Sequence, residues 1–321
     1  MQWRKLLMGG GAAIGAAAAF NHLASRDVGP LENLIGGREG WFEWRGHRVA
    51  YTVRGAGSPL LLVHGLHAAA SSYEWRSNVD ALARDHTVYT IDLLGFGRSE
   101  RPTTRYTPSL FIALLSDFVR QVVGQPCALV ASSLAAAYAI VLGARDPGRF
   151  PALVLIGPTG VVRLSGVPRA SGDFARIAVD TPVVGTAVFN GLVSHRSIRA
   201  YLEASYADDS LVTDAMVDVH YRAAHQPGAK HAPAAFVGQQ LNVDVRDALR
   251  RLVQPSLLVW GEQAVMAPVE EMRGFLSLKP DFEPVIFSPA GDVPHDERPG
   301  EFNEAVLGFL ARAERGEGTR V

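Results

Sequence analysis

The chain has 321 residues, 48% of them hydrophobic and 20% charged, with 31 Lys+Arg against 32 Asp+Glu and a formal net charge of −1. That composition excludes a disordered or collagen-like chain, and the balanced charge excludes a dedicated nucleic-acid binder, which would carry a basic excess. The single cysteine, Cys127, permits neither an internal disulfide nor a Cys-rich zinc site, and it reads as a small core residue at the start of a buried strand.

Residues 1–24 form an N-terminal apolar segment. Arg4 and Lys5 precede an uncharged, Ala/Gly-rich run from Leu6 to Phe20, the layout of an export signal or an uncleaved signal anchor. The run is shorter than the ~20 residues of a typical spanning helix. Gly11 and Gly15 have GxxxG spacing, as common in any Gly-rich run as in a helix-packing motif. Three fates stay open: an anchor, a segment cleaved near Ala17–Ala19 to leave a soluble secreted form, or a soluble or interfacial helix. No cysteine follows for lipid attachment. Basic residues ahead of the run favour that end staying inside, which places the main domain in the periplasm or outside the cell. Membrane association through this segment, and with it a possible membrane protein complex, is the expected partner relationship.

Residues 25–40 read as a linker, punctuated by Gly29-Pro30 and Gly36-Gly37. Trp41–Val53 alternates as an opening hairpin with its turn near Arg45-Gly46. Short apolar runs follow at Leu60–Val63, Thr87–Ile91, Ala128–Ala131, Ala152–Ile156, Ser256–Trp260 and Pro284–Phe287. Each suits a strand buried on both faces. Helical stretches such as Leu110–Val123 and Leu134–Arg145 lie between them, so the expected class is α/β with a mostly parallel sheet. From about Asp173 to Arg251 the pattern is helical, with breaks at Pro182 and Pro227-Gly228. The expected division is a core of 41–160 and 252–312, a helical lid at 161–251, and a tail at 313–321.

Five segments carry chemistry in order: Leu61-Leu62-Val63-His64-Gly65; Asp92-Leu93-Leu94-Gly95-Phe96-Gly97-Arg98-Ser99; Leu129-Val130-Ala131-Ser132-Ser133-Leu134-Ala135; Val259-Trp260-Gly261-Glu262; and Gly291-Asp292-Val293-Pro294-His295-Asp296-Glu297-Arg298-Pro299. Together they resemble the lid-bearing branch of the α/β-hydrolase superfamily over roughly residues 40–312. The resemblance implies an α/β-hydrolase fold with a serine raised on a strand-to-helix elbow, a histidine base, an orienting acid and two backbone oxyanion donors. It places Ser133 at the nucleophile position, with Ser132 as the neighbouring alternative, and Ala131 and Ala135 where glycines are usual. It assigns the oxyanion donors to the N–H groups of Leu66 and Leu134. His64 is expected to support the loop or border the substrate, and His67 and Ser132 to face the substrate.

Two positions depart from that pattern. The acid position is Ala264 and the histidine position is Asp292, whose carboxyl, with a reference pKa near ~3.9, is a weak base for a serine hydroxyl. The stretch Ile156-Gly157-Pro158-Thr159-Gly160 offers no substitute acid. His295 is the candidate replacement base, oriented by Asp292, Asp296 or Glu262; the other reading makes Pro294-His295 an ordinary helix start. His195, His220, His225 and His231 lack metal-ligand spacing, and no phosphate loop or dinucleotide fingerprint occurs. The expectation is therefore no cofactor and no metal. Two functions follow: hydrolysis of an apolar ester or related carbonyl compound through Ser133 with a non-standard base, or a non-catalytic relative that binds an apolar ligand or serves a membrane complex.

Overall fold

A computed structural model describes residues 2–26, 28–166 and 170–317. The surroundings of residues 2–13, the basic start and Gly11 included, and the end of the tail from 318 lie outside the described part.

The strands are β1 (Arg38–Trp44), β2 (His47–Arg54), β3 (Ser58–Val63), β4 (His86–Ile91), β5 (Ala128–Ser132), β6 (Leu153–Ile156), β7 (Ser256–Gly261) and β8 (Glu283–Phe287). They form one 8-stranded sheet in the order β1-β2-β4-β3-β5-β6-β7-β8. β1–β2 and β2–β4 pair antiparallel, and the rest pair parallel. The opening hairpin turns at Arg45-Gly46, both at positive φ. β1 starts at Arg38, within the span read as linker, and Ile35 is already buried in the core.

The helices are α1 (Gln2–Ser25), α2 (Val79–Leu82), α3 (Pro108–Phe118), α4 (Ser133–Arg145), α5 (Ala170–Asp180), α6 (Val184–Leu192), α7 (His195–Ser205), α8 (Asp214–Ala224), α9 (His231–Val237), α10 (Arg246–Arg251), α11 (Met272–Leu278), α12 (Pro294–Glu297) and α13 (Pro299–Glu314). The central parallel strands β3, β5, β6 and β7 are largely apolar because both faces are covered. Leu61, Val63, Leu129, Ala131 and Leu155 pack with α3 and α4 on one face. Leu60, Leu62, Val130, Val154 and Ile156 pack with Phe302 and Val306 of α13 on the other. The period-2 alternation of strand side chains sends neighbours into opposite layers.

Helices α5 to α10 are inserted between β6 and β7, with breaks where Pro182 and Pro227-Gly228 stand. α7, α8 and their neighbours bury a separate cluster that includes Val179, Phe189, Leu202, Met216 and Val217 and reaches the core loop at Ala69. α10 returns to pack against α4. Among the described residues, no helix is long and apolar enough to cross a membrane. The C-terminal end of α1 docks on the insertion: Asn21 Nδ2 donates to Val183 O at 2.8 Å, Asn190 Nδ2 donates to Asn21 Oδ1 at 3.0 Å, and Tyr221 Oη donates to Ala24 O at 2.8 Å.

Candidate active site

β5 runs directly into α4, and Ser133, the first residue of the helix, has φ +52°. A non-glycine residue in this region is strained, and such strain persists where the surrounding fold holds it. Ala131 and Ala135 on either side are fully buried, so there is no room for larger side chains at the two usual glycine positions. Gly65, at the end of β3, closes against the same turn: a Cβ there would stand 3.0 Å from Ser132 Oγ and 3.6 Å from Ser133 Cβ. This close approach explains a glycine after His64. The Ser133 side chain is exposed and borders a cavity of ≈ 320 Å³. Leu66 and Leu134 flank the same elbow with buried side chains, and Leu66 borders the cavity.

Beside the elbow sits a carboxylate that the sequence motifs do not single out. Glu74 lies on a short 3₁₀ turn, Ser72–Trp75, capped by the Ser71 hydroxyl. Its Oε2 accepts the Gly65 N–H at 2.9 Å, and its Oε1 accepts the Ser132 hydroxyl. His295 Nε2 stands 3.3 Å from the same Oε1. Burial pushes the Glu74 carboxyl upward, but hydrogen bonding to His295, the charge of that ring and the Ser132 hydroxyl outweigh it and bring the group down to about 2. His295 is fully buried, its ring 4.8 Å from Trp75 and 5.8 Å from Phe302, with neither ring nitrogen in a well-directed hydrogen bond. No sequence motif points to Glu74, because its place depends on the short turn after β3 folding back to the Gly65 N–H.

The structure sends the three expected orienting acids elsewhere. Asp292, at the histidine position, accepts the N–H groups of Val265 (3.2 Å), Met266 (3.0 Å) and Ala267 (3.1 Å). Burial raises its pKa, while those three donors oppose the rise. Asp292 is thus a clamp on the loop after β7, the loop in which Ala264 replaces the usual acid. Asp296 accepts Ser77 Oγ at 2.9 Å and also takes Arg76 and the Tyr206 hydroxyl. Glu262 pairs with the Ser288 hydroxyl. None of the three pairs with the His295 ring; the carboxylate beside it is Glu74, at 3.3 Å. His295 itself does open a helix, α12, as the Pro-His pattern also suggests.

The histidines of the first segment separate. His64 is fully buried, its Nδ1 bonded to Gly65 O at 2.6 Å and its Nε2 accepting the Leu93 N–H at 3.0 Å. It supports the loop and does not border the cavity, so the substrate-contact alternative for it is corrected: both ring nitrogens are used by backbone. His67 does border the cavity, with its ring stacked 5.9 Å from His220 of α8 and 5.4 Å from Tyr201 of α7. Burial first, and then His220, lower His67 to about 3. Ser132 borders the cavity too, but its hydroxyl is committed to Glu74. His195 and His225 stack on Tyr221, away from the elbow, and His231 bonds to Asp180 at 2.7 Å. Burial raises the Cys127 thiol far above its ordinary value. Among the described residues, no group of three or more His, Cys, Asp or Glu side chains is placed to hold a metal ion.

The model of the α/β hydrolase family matches residues 60–305. The chain is 28% identical over 277 residues to the 2-hydroxy-6-oxo-6-(2'-aminophenyl)hexa-2,4-dienoic acid hydrolase of Metapseudomonas resinovorans, covering 83% of this chain and 89% of that one. It is 27% identical over 268 residues to the 2-hydroxymuconate semialdehyde hydrolase of Pseudomonas sp. (strain CF600), covering 81% and 89%. Among solved structures, a serine hydrolase involved in carbazole degradation superposes with a TM-score of 0.72 at 25% identity, covering 85% of this chain and 98% of that one. With the elbow, the sheet order and the insertion in place, this chain belongs to the α/β hydrolase family.

Proposed function

We propose that this protein hydrolyses a neutral, largely apolar ester or related carbonyl compound, with Ser133 as nucleophile and the buried His295–Glu74 pair as its non-standard base. The observation that carries the reading is Ser133: a serine held at φ +52° and exposed to the cavity, with the N–H groups of Leu66 and Leu134 as the proposed oxyanion donors. Those donors suit the oxyanion of a tetrahedral intermediate, the interaction that contributes most to acyl transfer. Glu74 sets a carboxylate oxygen 3.3 Å from His295 Nε2, and in this reading the neutral ring takes the Ser133 proton across the cavity that both residues border. Catalysis is correspondingly slow, because the ring is fully buried at rest.

The neutral-substrate preference rests on charge. Glu74, Asp292 and Asp296 border the cavity, with Arg76 and Arg163 as its guanidinium groups. Arg76 is held by Asp296, and Arg163 by Glu271 at 2.6 Å. An acid like those in the relatives' names would enter beside carboxylates with both arginines already engaged. Leu66, Ile156, Leu164, Phe236 and Trp260 supply the apolar wall. The insertion, contributing Tyr201, Leu202 and His220 to that wall, acts in this reading as the lid.

The second reading, an apolar-ligand-binding relative without turnover, draws on one observation: Asp292 is spent on three backbone donors and cannot act on Ser133. Turnover of p-nitrophenyl butyrate separates the two. The proposal expects slow hydrolysis that Ser133→Ala reduces to background and that Glu74→Gln and His295→Gln each lower by about 10²-fold or more. Hydrolysis that survives Ser133→Ala contradicts it, and absence of turnover in the wild type favours the binding reading.

A further inference from the structure

One helix of the insertion is apolar on both sides. α6 turns Phe189 and Asn190 inward, where they are buried, and leaves Val184, Val188 and Leu192 exposed at 46%, 51% and 64%. These three stand at i, i+4 and i+8, one face of the helix. A helix on the surface of a soluble domain ordinarily turns a polar face to water. No charged residue occurs from Thr181 to Val193. α1 packs alongside and leaves Phe20 and Leu23, neighbours at i and i+3, exposed at 43% and 65%. The Asn21 hydrogen bonds to Val183 and Asn190 fix the two helices together. An apolar area of this kind, assembled from two elements, marks an interaction site.

We infer that α6 and the C-terminal half of α1 together form a face that lies in the headgroup layer of a lipid bilayer, as a monotopic contact. The occupant is argued from continuity: the patch runs into the uncharged stretch Leu6–Phe20, and that stretch is preceded by Arg4 and Lys5, cations suited to anionic headgroups. The contact adds to whatever hold the N-terminal stretch has, because the insertion itself enters the interface. It seats the helices that border the cavity at the source of apolar compounds.

The test places an environment-sensitive nitrobenzoxadiazole label at Val188→Cys in the full chain, with Glu314→Cys on α13 as the control; Cys127 is buried and reacts slowly. Vesicles contain equal parts phosphatidylcholine and phosphatidylglycerol, with and without doxyl-labelled lipid. The expected result is a blue shift and strong quenching at 188, with no change at 314. At limiting lipid, Val188→Glu combined with Leu192→Glu lowers the bound fraction by about tenfold. Bound protein with an unquenched label at 188 overturns the inference, as does failure to bind vesicles. A blue shift that grows with protein concentration in buffer alone assigns the face to a second copy of the chain and also overturns it.

Discussion

At the scale of single residues, the site is defined by two side chains in unusual settings. Ser133 is held in a backbone region that costs roughly 1–3 kcal/mol for a side chain with a Cβ. Ser133→Gly should therefore raise stability in urea unfolding by up to about 1 kcal/mol while abolishing turnover; lower stability would mean that the elbow is relaxed. His67 is kept neutral by burial and by His220. Its folded pKa, about 3, lies below the ordinary value of 6.5, so between those values the unfolded chain binds the extra proton and stability rises with pH. Glu74 adds a second loss at lower pH: its folded value of about 2 lies below the ordinary 4.5, so its contribution is present above 4.5 and is lost as pH falls toward 2. Unfolding free energy should thus drop as pH falls from about 6.5 toward about 3, and His67→Gln should flatten the upper part of that drop. An equal drop in the variant would place the acid sensitivity elsewhere.

At the scale of elements, the loop after β7 replaces one kind of order with another. In a family member with the full set of groups, this loop and the loop after β8 present an acid and a histidine to the nucleophile. Here the same two loops are tied by Asp292 to the N–H groups of Val265, Met266 and Ala267, and Asp292 N donates to Ser205 O of α7 at 2.7 Å. One residue thereby links β7, β8 and the insertion. Asp292→Ala leaves three donors without their acceptor and should cost about 1–3 kcal/mol in unfolding free energy. Proteolysis within 262–268 should rise before the rest of the chain opens; unchanged stability and cleavage would show that water replaces the carboxylate without loss. The elements themselves were plain in the sequence because each strand is a short apolar run and the insertion breaks at its prolines. β1 starts earlier than its alternation shows, because Arg38 and Glu39 pair in the ladder through backbone groups alone.

At the scale of the whole molecule, the sheet order brings residues far apart in sequence to one edge. Ser133 after β5, Gly65 after β3 and Asp292 after β8 all stand at the C-terminal ends of parallel strands, where open α/β sheets bind ligands. That much was legible from the order of the five segments. The Glu74–His295 contact was not: it joins residues 221 positions apart by subtraction of their numbers, through a short 3₁₀ turn that no periodicity announces. Nor could the sequence tell that Asp292 is a loop clamp, since a carboxyl at a histidine position looks the same whether it faces a serine or three backbone donors. The central claim, that Ser133 is a working nucleophile despite these changes, is tested most directly by intact-mass and peptide mapping after treatment with a fluorophosphonate. The account predicts a single adduct on the peptide holding Ser133, lost in Ser133→Ala and slowed in His295→Gln. No adduct on Ser133 between about pH 6 and about pH 9, with the protein folded, would contradict it.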